Sequence, residues 1–204
     1  GLDRAANGID HMRKECVRAS TADALRGFEG KAGVHYFGAL RLLLDPRWQF
    51  KGRAYHPPPD PFNALLSFGY SLLLKDMTAT INLVGLDPYL GCFHALEYGR
   101  PSLTLDLMEE FRPLAVDAPM MGLVLDGKLT PDHFTVTGRT ERPIELGSAQ
   151  MPTVIQAYEK RLDDVVMHSP SSTNQRLRRC YEMQARIYAR VVMQQRSEYE
   201  GMVA

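Results

Sequence analysis

The run DPFNALLSFGYSLLLKDMTATINLVG, residues 60–85, constrains the fold more than any other part of the chain. Asp60 can cap a helix whose first residue is Pro61, and Gly85 can end it. Between them Leu65, Leu66, Phe68, Leu72, Leu73, Met77, Ile81 and Leu83 cover a wide hydrophobic face. The pattern predicts a core helix over 61–84 against which other elements pack. Lys75 and Asp76 interrupt it, which argues against a membrane span.

The flanking sequence is also dominated by helical periodicity. Residues 1–20 read as a lead-in segment, helical over about 2–18. Thr21 can cap a helix over 21–44 that ends at Asp45-Pro46. Gly27, Gly30 and Gly33 fall on one stripe of it, and glycine weakens a helix, so close packing against a neighbour or a ligand is expected there. RAYHPPPDP is an extended connector, because each proline fixes φ and biases the preceding residue away from helix. A short helix starting at Asp87-Pro88 is expected to hold His94. Ser102 can cap the next, and Pro113 must kink or divide the line that runs on to Leu125. HFTVTGRTERPIEL, 133–146, is the one strand-like stretch, with a turn allowed at Gly138. Helices over 148–166 and 172–196 precede a tail at 197–204. The fold class is mainly α: a multi-helix domain over 21–196 with one small β-hairpin.

Lysine and arginine total 24 against 24 aspartates and glutamates. The chain therefore lacks the basic excess of a general nucleic-acid binder, and any polyanion site must be a local patch. Cys16, Cys92 and Cys180 are far apart with no CxxC spacing, which argues against a zinc knuckle or a disulfide framework. Cys92 and Cys180 sit in apolar patterns and read as buried thiols of a cytoplasmic protein. No signal peptide is visible, and the first residue is Gly1 rather than methionine, which suits a domain excised from something longer.

The candidate chemistry lies in GCFHALEYGRPSLTLDLMEEFRP, 91–113. His94 stands beside a helical break at Gly99, Arg100 and Pro101. Asp106 and Glu109 follow, one turn apart and sharing a face among Leu103, Leu105, Leu107, Met108 and Phe111. Carboxylates so placed are costly unless compensated, and a cation shared with the imidazole would remove that cost. Glu29 adds a carboxylate within the glycine stripe of another helix. Oxygens plus one imidazole nitrogen, with no thiolate, suit Mg²⁺ or Mn²⁺ better than structural zinc. The bland readings are a satisfied core histidine and an exposed face on which Arg112 pairs with Glu109; Glu110 reads as solvated. Lys51, Arg53 and His56 form a basic turn before the prolines. On the last helix Arg179, Arg186 and Arg190 oppose the apolar face, as a solvated edge or a phosphate-binding stripe.

In this order EGKAGVHYF, PPPDPFNALLSFGYSLL and GCFHALEYGRPSLTLDLMEEFRP resemble the helical C-terminal domain of the CRISPR-associated spacer-acquisition endonuclease/integrases, the Cas-one family, over roughly residues 20–195. The resemblance places Glu29, His94 and Glu109 at the family's metal-ligand positions, with Asp106 in the same site to orient His94 or hold a second ion. Asn63 and Tyr70 fit positions near the site, and Arg53, Arg112 and the arginine stripe become candidate DNA contacts. It implies a Mg²⁺- or Mn²⁺-dependent enzyme that cleaves phosphodiesters and joins captured DNA to a CRISPR repeat by attack of a 3′-OH. It further implies a homodimer that binds the small second adaptation protein and double-stranded or branched DNA (prespacer and repeat), away from any membrane. The family's N-terminal β domain is absent from these residues, so a domain, a natural fragment or one module of a fusion polypeptide is expected. The competing reading is a non-catalytic helical dimerisation or docking module of a larger adaptation protein.

Overall fold

A computed structural model describes every residue except 55, 56, 96 and 204, so His56 of the expected basic turn lies outside the described residues. The helices are α1 (Leu2–Cys16), α2 (Ala22–Leu43), α3 (Pro61–Val84), α4 (Ser102–Met108), α5 (Ala118–Leu125), α6 (Met151–Asp163) and α7 (Leu177–Val192). Two antiparallel pairs complete the described elements: β1 (Phe134–Val136) with β2 (Ile144–Leu146), and β3 (Val165–His168) with β4 (Thr173–Arg176). The mainly-α expectation holds. No described helix is long and apolar enough to cross a membrane. The chain divides into two units, Gly1–Ser67 with Gly127–Gly147, and Phe68–Asp126 with Ser148–Ala204. α1 packs along α2, and the residues after 196 are bonded into the second unit.

In the first unit Thr21 caps α2, its Oγ1 accepting from the Ala24 N–H at 3.2 Å. Asp45 accepts from the Arg47 N–H at 2.8 Å and turns the chain into a short 3₁₀ segment, Pro46–Trp48. Trp48, Phe50 and Phe62 are buried and meet edge-on, with centroids 6.0 Å apart for Trp48–Phe62 and 5.0 Å for Phe50–Phe62; Trp48 also meets Phe134 at 5.8 Å. These rings tie the chain after α2 to the start of α3 and to β1. Asp60 caps α3 as expected, Oδ1 accepting from the Asn63 N–H at 2.8 Å. The tight packing expected at the glycine stripe is not made: among the described residues nothing comes within 4 Å of a Cβ built at Gly27, Gly30 or Gly33, and α2 has no buried residue.

In the second unit Leu73, Met77 and Ile81 of α3 are fully buried. Leu83 was expected on the same face but is 73% exposed, because it lies two residues, about 200°, around the helix from Ile81. At +87° the Gly85 φ lets the Leu86 N–H return to the Ile81 carbonyl at 3.1 Å, closing the helix. The helix expected from Asp87 does not form: 87–94 is a turn closed on Asp87 followed by bends, and the N–H groups of residues 92–94 go to Asp106 of α4. Cys92 is consequently exposed rather than a buried thiol, whereas Cys180 is buried. Pro113 divides the line: a π-helical turn, Arg112–Asp117, separates α4 from α5. A second hairpin replaces the helix ends expected near 166 and 172. β3 and β4 pair from Val165↔Arg176 to His168↔Thr173, around a Ser169–Ser171 turn completed by Ser172 at φ 52°. β-branched Val165 and Val166 and the SPSS turn outweigh the helical periodicity there.

Candidate functional site

Residues 88–95, the His94 loop, lie across the start of α4. The Pro88 carbonyl accepts from the N–H groups of Leu103 (3.0 Å) and Thr104 (3.3 Å), donors that a first helical turn leaves without partners. Ser102, expected as the cap, is instead the first helical residue, and its Oγ donates to the Ala95 carbonyl at 2.8 Å. A Cβ at Gly91 would stand 2.6 Å from the Ser102 carbonyl carbon and 2.6 Å from Asp106 Oδ2, so glycine is what lets the loop approach. Asp106 gathers the loop. Its Oδ2 accepts from the N–H groups of Cys92 (2.6 Å) and Phe93 (3.0 Å), its Oδ1 from that of His94 (2.8 Å), and the His94 ring Nδ1 lies 2.7 Å from Oδ1. Burial works against charge on Asp106, yet these donors outweigh it and hold the carboxyl below its ordinary range. An ionised Asp106 can only accept, so His94 donates to it through Nδ1–H and Nε2 faces the other side.

On that side is Glu109, its Oε1 3.8 Å from His94 Nε2. Arg112 Nη1 is 3.0 Å from the same oxygen, and its guanidinium sits 5.2 Å over the Tyr70 ring. Tyr70 donates through its hydroxyl to Asp117 Oδ1 at 2.6 Å, and both residues are buried. The buried Arg112 Nε finds no acceptor among the described residues. His94, through Nε2, and Glu109 are the residues that would hold a divalent ion on this side. The nitrogen–oxygen donor pair suits Mn²⁺ or Mg²⁺, with Asp106 as the outer carboxylate that fixes the tautomer. No group of three or more His, Cys, Asp or Glu side chains forms an ion cage among the described residues. Glu29 is exposed on α2, in the first unit.

The family described as CRISPR associated protein Cas1 has a sequence model that matches residues 1–160. This chain belongs to the Cas1 family. It is 37% identical over 198 residues to CRISPR-associated endonuclease Cas1 3 of Thermus thermophilus, covering 96% of this chain and 59% of that protein. With the CRISPR-associated endonuclease Cas1 of Methanopyrus kandleri it shares 40% identity over 177 residues, 81% of this chain and 53% of that one. The solved Cas1 structure from Thermotoga maritima matches the fold with a TM-score of 0.82 at 28% identity, over 92% of this chain and 57% of that one. The chain thus spans a little over half the length of the Cas1 proteins it matches.

Most of the other candidate residues of this Cas1-family chain have internal partners. Arg53 donates to the Ala54 carbonyl (2.6 Å), Asn63 Oδ1 (2.8 Å) and Ser67 Oγ (3.2 Å). Asn63 is fully buried; its Oδ1 also accepts from the Ala54 N–H, and its Nδ2 donates to the Gly52 carbonyl and Asp60 Oδ2. Both side chains shape the connector before α3. Burial raises the Asp60 carboxyl, partly offset by the Asn63 donors. Arg179 and Arg186 both pair with Glu182, the latter at 2.7 Å, while Arg190 is exposed on the same helix. Glu110, read as solvated, is instead drawn into the fold. It accepts from the Tyr199 hydroxyl, Gln184 Nε2 (2.7 Å) and the Met202 N–H (2.6 Å), and burial raises its carboxyl despite them. Its partners lie 74 to 92 residues away, so no local pattern could have shown it. Asp117 did carry a signal, as the only acid in the apolar run PLAVDAPMMGLVL.

Proposed function

We propose that the chain is the helical part of a metal-dependent DNA endonuclease and integrase of CRISPR adaptation, working with Mg²⁺ or Mn²⁺. The observation that carries the reading is His94: its ring is pinned by Asp106 at 2.7 Å and presents Nε2 to Glu109 Oε1 at 3.8 Å. His94 and Glu109 would hold the ion and Asp106 orients the imidazole; Glu29 is proposed as a further anionic ligand on the family resemblance alone. Such an ion, when bound, polarises the phosphodiester and lowers the pKa of the attacking hydroxyl. Arg112, steadied over Tyr70 beside Glu109, supplies a guanidinium that matches a phosphate's paired oxygens. In strand joining, a DNA 3′-OH forms the new P–O bond as the old one breaks, and the departing oxygen takes up a proton. With water in place of the 3′-OH the same site cleaves. Arg190 is the stripe residue best placed for a backbone phosphate, since Arg179 and Arg186 share Glu182. A homodimer, the small second adaptation protein and double-stranded or branched DNA are the partners of this reading.

The test is Mn²⁺-dependent cleavage and strand joining on branched and linear DNA, comparing wild type with His94→Ala. Loss of activity in the variant, with its circular dichroism unchanged, supports the reading; full activity in the variant overturns it. The open glycine stripe and unburied α2 favour a second reading, a non-catalytic dimerisation or docking module. Inactivity of both proteins with the second adaptation protein supplied would favour that one.

A further inference from the structure

Beside the proposed site, Glu110 receives residues 199–202. One carboxylate oxygen accepts from the Tyr199 hydroxyl, the other from Gln184 Nε2 and the Met202 N–H. Met202 is buried, and the Val203 N–H donates to Ser169 Oγ at 2.8 Å, so residues 197–203 are tied down at several points. The receiving side is itself fixed. Gln184 is fully buried, and its Oε1 lies 3.0 Å from Nε2 of the equally buried His168. From the strap a continuous line of contacts leads to the His94 loop. The Tyr199 ring meets the Tyr188 ring edge-on at 6.1 Å, the Tyr188 hydroxyl lies 3.0 Å from Cys92 Sγ, and the Cys92 N–H donates to Asp106.

We propose that residues 197–203 form a strap that holds the His94 loop in its Asp106-bonded position, with Glu110 as the positioning residue that fastens the strap. The consequence for chemistry rests on the metal-site reading above; the mechanical claim does not. Glu110 directly follows Glu109, so one short stretch of chain carries both a candidate ligand and the fastener of the loop that bears the other. The strap thereby couples residues 197–203 to the geometry of the site. A group that is only part of the scaffold would loosen its own surroundings; a positioning residue loosens the loop at the far end of the contact line.

The experiment is amide hydrogen exchange on the whole chain without metal, for wild type, Tyr199→Phe and Glu110→Gln, followed by Mn²⁺ binding. Tyr199→Phe keeps the ring and loses the hydroxyl, and Glu110→Gln keeps one acceptor oxygen. In Tyr199→Phe the amides of residues 92–94 should exchange about tenfold faster or more, with α6 unchanged, and Glu110→Gln should move the same amides. Faster exchange confined to 197–203 and the end of α7 would overturn the proposal. Should Glu110→Gln fail to fold, Tyr199→Phe alone decides. A loosened loop in Tyr199→Phe, together with Mn²⁺ binding indifferent to His94→Ala, keeps the strap and removes the metal reading. His94-dependent Mn²⁺ binding with an unmoved loop does the reverse.

Discussion

Replacing Asp106 by alanine removes the acceptor of three backbone N–H groups, those of Cys92, Phe93 and His94, and the partner of the His94 ring. A hydrogen bond to a charged group contributes about 1.5–3 kcal/mol when sheltered from water. Cys92 is exposed and Phe93 and His94 are half-buried, so water takes over part of each lost bond. About 1 kcal/mol per backbone N–H is then the working figure, or about 3 kcal/mol for the loop, which is about a hundredfold in its opening equilibrium. Asp106→Asn should fall between. Its oxygen can keep both His94 contacts, while its NH₂ group faces the N–H groups of Cys92 and Phe93, donor against donor. Losing those two bonds costs about 2 kcal/mol, or about thirtyfold. Amide hydrogen exchange at residues 92–94, with α6 as internal reference, reads both variants. Exchange at 92–94 unchanged in Asp106→Ala would refute the claim that this carboxylate builds the loop.

Because the folded Asp106 carboxyl is held below its ordinary 3.8, its anchoring is complete above that value and is lost as pH falls through the lower folded one. The ¹³C shift of its carboxyl should titrate with a midpoint below 3.8, and a midpoint at or above it contradicts the assignment. Tyr70→Phe takes a hydroxyl donor from buried Asp117 and should cost about 1.5–3 kcal/mol in denaturant unfolding; an unchanged unfolding midpoint would mean the bond contributes nothing. Gly91→Ala drives a Cβ into the Ser102 backbone and should destabilise by about 1–3 kcal/mol, with fast exchange at 92–94. A variant as stable as wild type would disprove the close approach. Gly33→Ala meets open space on α2 and should instead gain about 0.5–1 kcal/mol, whereas a loss would mean that the stripe is covered.

Where a feature was carried by residues close in sequence, it could be read before the structure. The caps at Thr21 and Asp60, the end of α3 at Gly85 and the division at Pro113 each depend on a residue within a few positions of the backbone it affects. The i+3 pair of Glu109 and Arg112 and the turn between Asp106 and Glu109 are legible for the same reason. The His94 segment misled because its donors are spent on a carboxylate twelve to fourteen residues ahead, so helical propensity lost to a tertiary bond. β3 and β4 were missed because their cross-strand pairing makes a hairpin of residues whose own spacing reads as helix. Glu110 and the strap were invisible, since a carboxylate beside another on a helix end gives no sign of a partner some ninety residues on.

Coordination of Mn²⁺ by the His94 imidazole tests the central claim most directly, and electron spin-echo envelope modulation of the Mn²⁺-loaded chain reads it. The expected result is an imidazole-nitrogen coupling in the wild type that disappears in His94→Gln while the exposed-loop and helix signatures in circular dichroism stay the same. Bound Mn²⁺ with no nitrogen coupling, or a coupling that survives His94→Gln, would contradict the site.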